Sequence, residues 1–253
     1  MQKVGRSIHT EIKQQHLKYF LDTHLKVSKA IMSKNPWFSK TFFYADVFAG
    51  DGGEENDSGS PVIFEEVNSE INLPCSPIFI DENPVSVSRL QKKISSPVLT
   101  DKNDNILPKI SLKKNQLGVL YIDPNGDPPL KKGEFIQSFY QKQNTQRIDL
   151  LIYFSGTTIK RALKAPTAKR DTTLVDNLTN LPKKHWLIRT PVGKHQWSFL
   201  LGTNWPDFPG FKKIDFHKVS SVTGQYILKK INLTAKELSL LEIAKPERQM
   251  TLF

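Results

Sequence analysis

Four apolar runs in the first half of this chain each close on an acidic residue, and that repetition constrains the fold more than any other feature. The runs are Phe42 to Phe48 with Asp46 near its end, Pro77 to Ile80 followed by Asp81 and Glu82, Val98 to Thr100 followed by Asp101, and Val119 to Ile122 followed by Asp123. Each is short enough for a strand, and the stretches between them are long enough for crossover helices, which predicts a parallel sheet. In such a sheet a ligand sits beyond the carboxyl ends of the strands, so acids placed there gather around one pocket. The first run also opens into a loop carrying Gly50, Gly52 and Gly53. Glycine accepts positive φ and has no Cβ, which allows a tight turn and close approach of a ligand to bare backbone.

The rest of the chain fits one α/β domain. Leu17, Phe20, Leu21, Leu25 and Ile31 recur at helical spacing from Thr10 to about Met32, predicting an amphipathic helix that Pro36 ends. A further strand is expected at Ile148 to Phe154. Trp186 to Thr190 and Trp197 to Gly202 then read as an antiparallel hairpin. Trp205 to Phe211 is too rich in proline for regular helix and reads as a packed loop, and Thr234-Ala235-Lys236-Glu237 has capping-box form ahead of a short terminal helix. At 253 residues the chain can bury one large core. Residues 1–245 are expected to form a single domain and 246–253 a tail. No apolar run is long enough to span a bilayer and no apolar stretch follows Met1, so a cytoplasmic, nucleoid-associated protein is expected. The single Cys75 suits a reducing compartment, and the histidines show no metal-ligand spacing, so no metal is expected.

An acidic pocket suits a ligand that offers ribose hydroxyls, an adenine amino group and a cation, because carboxylates accept hydrogen bonds and attract positive charge. S-adenosylmethionine has all three. A pyrophosphate cofactor would require a G-x-G-x-x-G fingerprint, which the chain lacks.

Asp46 to Gly53, Gly59-Ser60-Pro61, Phe79 to Asn83, Asp101 to Asp104 and Ile122 to Gly126, in this order, resemble the three-Cys-motif partner proteins, a methyltransferase-like family. The resemblance implies a class I methyltransferase (Rossmann-like) fold: a mainly parallel sheet with an antiparallel C-terminal hairpin strand and helices on both faces. It also implies S-adenosylmethionine as cofactor, bound by Asp46, Phe48, Ala49, Gly50, Gly52, Asp81, Glu82, Asp101 and Asp104. Asp81 would take the ribose hydroxyls, and Asp101 the adenine amino group, with Asp104 a competitor for that duty. Asp46 would orient the glycine loop and the methionine moiety, while Phe48 and Ile80 either flank the adenine or belong simply to the core.

Asp123-Pro124-Asn125-Gly126 stands where amino-methylating enzymes carry an Asp/Asn-Pro-Pro-aromatic loop. There, carboxylate or carbonyl oxygens accept the hydrogens of an exocyclic amine, and the aromatic stacks on the extruded base. Here Asn125 replaces the second proline and Gly126 the aromatic. Tyr121, Phe154 and the Trp205 to Phe211 stretch are candidate replacements for the stacking platform.

Formal net charge is +11, from 36 basic and 25 acidic residues, and such a surface attracts polyanions. Basic clusters at Lys160, Arg161, Lys164, Lys169 and Arg170, and at Lys183-Lys184, Lys212-Lys213 and Lys229-Lys230, are the candidate phosphate contacts. The tail Gln249-Met250-Thr251-Leu252-Phe253 resembles the peptide by which bacterial proteins dock on the DNA sliding clamp: Gln249 would hydrogen-bond, and Leu252 and Phe253 would fill apolar pockets. The alternative is that Leu252 and Phe253 tuck against their own domain. The reading is a nucleic-acid methyltransferase, with a DNA base amino nitrogen (adenine N6) as first-choice acceptor. The alternatives are an RNA methyltransferase and an inactive methyltransferase-fold protein that binds DNA or the clamp.

Overall fold

The computed structural model describes residues 8–54, 57–124, 134–155, 178, 181–191, 197–206 and 210–232. Helix α1 (Ile8–Lys34) leads into β1 (Phe42–Asp46), a short hairpin of β2 (Gly53–Glu54) and β3 (Asp57–Ser58), and α2 (Ser60–Ile71). The chain continues through β4 (Cys75–Asp81), α3 (Pro84–Leu90), β5 (Val98–Thr100), α4 (Asn103–Ile106), β6 (Gly118–Ile122), α5 (Phe135–Tyr140) and β7 (Ile148–Ser155). It then forms β8 (His185–Arg189), β9 (Trp197–Thr203), a 3-10 turn (Phe211–Ile214), β10 (Phe216–Lys218) and α6 (Val222–Asn232).

Eight strands make one sheet in the order β10-β8-β9-β7-β6-β1-β4-β5. Strands β5, β4, β1, β6 and β7 pair in parallel, whereas β9 is antiparallel to both β7 and β8. The hairpin expected from the sequence is present, and its second arm is inserted between β7 and its first arm. That order from β8 to β5, with the reversed strand β9 slotted between two parallel ones, defines the class I methyltransferase fold. Two additions at the edge were not expected: β10, antiparallel to β8, and α6, which follows it. The terminal helix expected after Thr234 lies outside the described residues.

Strands β1 and β6 are buried along their whole length, as strands covered by helices on both faces must be. Their close approach depends on Gly118, where a Cβ would stand 2.4 Å from the Phe43 carbonyl oxygen. Alternate residues feed two cores. One lies under α1 and α2 and includes Tyr44 stacked on Phe64 with ring centroids 3.9 Å apart; the other lies under α5 and α6. Helix α1 places Leu17, Phe20, Leu21, Leu25 and Met32 in the first core. A buried hydrogen bond pins it across the sheet, from His24 Nε2 to Asp149 Oδ2 at 3.0 Å, with Ser28 Oγ 3.2 Å from His24 Nδ1. These bonds give both His24 nitrogens and one Asp149 oxygen partners that they would otherwise lose on burial. Lys183, expected from the sequence among the phosphate-binding lysines, is instead buried, with its ammonium donating to the Ile148 carbonyl and standing 4.2 Å from the Tyr140 ring centroid. No helix among the described residues is long and apolar enough to cross a membrane.

Candidate functional site

At the carboxyl end of β1 the chain turns sharply, and the turn is held from three sides. Asp46 Oδ1 accepts the Phe48 amide at 3.1 Å, Ala49 N donates to the Ile80 carbonyl at 3.0 Å, and Gly50 N donates to Asp81 Oδ2 at 2.9 Å. Gly50, Gly52 and Gly53 all have positive φ, at 64°, 79° and 76°. The turn thus needs the glycines that the sequence supplies, and a Cβ at Gly50 would meet nothing within 4 Å, so the backbone there lies open. Gly59 N donates to the Gly52 carbonyl at 2.8 Å and closes the loop against the start of α2. From α3, Arg89 pairs with Asp51 at 3.3 Å, and beyond that helix Lys93 donates to the Asp51 carbonyl at 3.0 Å.

Two clefts meet on this loop, sharing Phe48 and Gly50. The larger, of about 610 Å³, lies over β4 and β5 and brings together Asp81, Glu82, Asp101 and Asp104. These are four of the carboxylates singled out in the sequence. Asp81 uses one oxygen for Gly50 and the other for the Asn83 amide at 2.8 Å, and each oxygen keeps a lone pair for a ligand hydroxyl. Asn83 in turn caps α3 by accepting from Val85 N at 2.9 Å. Asp101 is held below the ordinary carboxylate range, first by the Asn105 side chain and then by the Lys102 amide, so it stays ionised. Asn103 donates to the Val47 carbonyl at 2.7 Å and ties α4 to the end of β1. Phe135 reaches the same cleft, its ring centroid 6.3 Å from that of Phe48.

The smaller cleft, of about 250 Å³, lies between the glycine loop, α1 and the end of β6; Ala49, Gly50, Gly52 and Asp123 line it. Asp123 accepts from the Tyr121 hydroxyl at 3.2 Å and forms an ion pair with Lys13. The Lys13 ammonium stands 4.1 Å from the centroid of the Tyr153 ring, so a carboxylate and an aromatic face converge on one cationic position. Burial raises the Tyr121 and Tyr153 hydroxyls well above their ordinary values, and Asp123 adds to both effects. Both phenols therefore stay protonated, and that of Tyr121 donates to Asp123.

Asp46 lies behind the loop, fully buried, and reaches neither cleft. Its carboxyl is pushed from 3.8 to about 7, chiefly by burial, with the Ser60 hydroxyl and Phe48 amide opposing and Asp123 adding to the rise. Its part is to brace the loop. Ile80, a candidate to flank the adenine, is likewise buried in the core and faces no cleft, whereas Phe48 lines both. Pro124 follows Asp123 and is half-buried, but lines neither cleft. Asn125 and Gly126, the basic cluster Lys160, Arg161, Lys164, Lys169 and Arg170, and the tail residues Gln249, Leu252 and Phe253 lie outside the described residues.

Sequence reasoning missed Lys13, Asn103 and Phe135. Lys13 is one of several polar residues on the exposed side of an amphipathic pattern, and Asn103 sits in an ordinary polar stretch. Neither carries a local signal, because what brings each to the site is the packing of its helix on the sheet. Among the described residues no group of three or more His, Cys, Asp or Glu side chains could hold a metal.

No family model matches the chain, and no curated protein matches it in sequence. Similar solved structures include a fibrillarin/Nop5p complex, with 8% identity over 73% of this chain and 83% of that one and a TM-score of 0.48. The N-methyltransferase NodS from Bradyrhizobium japonicum WM9 is 12% identical over 78% of this chain and 96% of its own, with a TM-score of 0.44. The plantazolicin methyltransferase BamL, solved with SAH and a triazolic desmethylPZN analog, is 12% identical over 91% and 85%, with a TM-score of 0.42. These scores fall below one half, and the fold assignment rests on the strand order and the reversed strand.

Proposed function

We propose that this chain is an S-adenosylmethionine-dependent methyltransferase acting on nucleic acid, in first place on an exocyclic base nitrogen of DNA such as adenine N6. The observation that carries the reading is the pair of clefts meeting at Phe48 and Gly50. One offers carboxylates for ribose hydroxyls and an adenine amino group, with Phe48 and Phe135 as apolar walls. The other offers open backbone for the methionine end and a carboxylate at the point of transfer. These residues fit the cofactor: Asp81 and Glu82 on the ribose, Asp101 or Asp104 on the adenine, Ala49, Gly50 and Gly52 along the methionine moiety.

When bound, S-adenosylmethionine supplies an electrophilic methyl group on a sulfonium. The chain's own residues do the remaining work. Asp123 accepts hydrogens from the acceptor amine and leaves its lone pair aimed at the methyl, with the Pro124 carbonyl as a second acceptor. The Tyr153 face and Asp123 together favour positive charge, which suits both a sulfonium and an amine that becomes cationic as it is methylated. Lys13, held in that position by α1, marks it as a cation subsite.

The charge of +11 supports a polyanionic acceptor. Kinship with the three-Cys-motif partner proteins and clamp docking through Gln249, Leu252 and Phe253 belong to the same proposal, and docking would favour DNA over RNA. One observation favours a second reading, an inactive methyltransferase-fold partner protein: the Lys13–Asp123 ion pair already satisfies the carboxylate that should receive the amine.

Calorimetry with S-adenosylmethionine, paired with a radiolabelled methyl-transfer assay on duplex DNA, single strands and RNA, tests both readings. Binding that weakens at least tenfold in Asp81→Ala, together with transfer to one of these acceptors, is the expected result. Binding without transfer to any of them favours the partner protein, and no binding at all ends the enzymatic reading.

A further inference from the structure

The largest of these clefts, about 920 Å³, lies away from the cofactor loop, on the α1 face at the outer edge of the sheet. Its floor is formed by Leu187 of β8, Phe216 of β10 and Phe211 of the 3-10 turn, all buried. Trp205, half-buried, forms one wall, and its amide donates to the Thr203 hydroxyl at 3.2 Å, which fixes where the indole leaves β9. Lys212, Lys213 and Lys218 stand exposed around the rim, with His185 and His217 half-buried beside them. Among the described residues that line it there is no carboxylate. Asp215, next to Phe216 in sequence, has its carboxylate directed to Arg189, 3.9 Å away.

Three ammonium groups, two imidazoles and an indole around an apolar floor suit a ligand with both regularly spaced negative charge and flat apolar surfaces. Unpaired nucleotides have that chemistry: phosphates for the lysines, and bases whose faces stack on an aromatic ring without regard to sequence. A duplex hides its base faces and would engage only the lysines. A simple polyanion would ignore Trp205. Strand β8 runs parallel to β1, so His185, its first residue, lies at the end of the sheet opposite the Asp46 loop. A strand held here is gripped at a distance from the point of methyl transfer.

We infer that the cleft between the 3-10 turn, β10 and β8 is a binding site for single-stranded nucleic acid. This deepens the nucleic-acid reading of the acceptor and rests on it. Fluorescence anisotropy of labelled oligo-dU and oligo-U, which differ only in the sugar, measures the binding directly without cofactor, and the tighter of the two identifies the natural sugar. Lys212→Glu with Lys213→Glu alters only exposed side chains and should leave thermal unfolding and cofactor binding unchanged. It should weaken single-strand binding about tenfold or more and lower the salt slope by roughly 1.4, about 0.7 for each phosphate no longer neutralised. Trp205→Ala should cost about tenfold on single strands and little on a duplex or on heparin.

Wild-type binding that both variants leave intact overturns the site while the nucleic-acid reading stands. Equal losses on single strands and heparin, with Trp205→Ala without effect, reduce the cleft to a general polyanion patch and also overturn it. A wild-type protein that binds S-adenosylmethionine but no oligonucleotide ends both the site and the nucleic-acid reading.

Discussion

Replacing Asp46 with asparagine isolates the strongly perturbed carboxyl behind the glycine loop. In the folded protein this group is fully buried and raised from 3.8 to about 7, with burial the main cause. Between those values the folded chain keeps a proton that the unfolded chain has lost. Its contribution to stability is therefore complete below about pH 4, falls as pH rises, and is gone above about pH 7. At 1.36 kcal/mol per pKa unit, the span corresponds to about 4 kcal/mol. His16 opposes it. Burial, and then the Arg189 guanidinium, lower that imidazole from 6.5 to about 4, so stability linked to it rises with pH over the same window. The wild-type profile should be flattened by this cancellation, and the difference between proteins is the quantity to read. The amide oxygen of the substituted side chain can still accept the Phe48 amide, and the group does not titrate. Urea unfolding of both proteins from about pH 4.5 to 7.5 should show Asp46→Asn gaining on wild type by several kcal/mol as pH rises. A difference that stays constant with pH would refute the buried, protonated carboxyl. A wild type that gains on Asp46→Asn as pH rises would mean that Asp46 is ionised and held by a cation such as Lys13.

Three further outcomes follow from contacts around the site. Gly59→Ala would set a Cβ 2.8 Å and 2.9 Å from the Gly52 backbone, so it should cost about 1–3 kcal/mol in chemical denaturation and weaken cofactor binding in calorimetry. Lys13→Met leaves Asp123 without its cation; the preference for S-adenosylmethionine over its neutral demethylated product should grow several-fold in competition binding, and an unchanged ratio would remove Lys13 from the sulfonium's surroundings. Deleting the last five residues should abolish binding to a bacterial sliding clamp in surface plasmon resonance and spare transfer to naked oligonucleotides; loss of both would make the tail part of the fold.

Most of the sheet was legible because its signal is local. A run such as Val119 to Ile122 is apolar on both faces and ends in an acid, and that pattern survives whatever packs above it. The hairpin of β8 and β9 was legible for the same reason, although its insertion beside β7 depends on pairing across distant segments. Strand β10 was missed because three residues are too few to show alternation, and helix α6 because it is short and carries Gly224, a poor helix former, in its first turn. Lys183 was misplaced because charge in the sequence says nothing about burial; the Ile148 carbonyl and Tyr140 ring that receive it come from other strands and helices.

Residue order alone determined that acids would stand at the ends of parallel strands and that a glycine loop would follow the first, since both depend on backbone preference and alternation within a few residues. Tertiary structure decided which acids face a ligand and which brace the loop. Asp46 and Asp81 read alike in sequence, yet one is sealed in the core and the other lines a cleft, because the turn at Phe48 and the start of α2 at Ser60 close over Asp46 and leave Asp81 open. The meeting of Lys13 with Asp123, more than a hundred residues apart, was likewise decided only by the packing of α1 across the sheet.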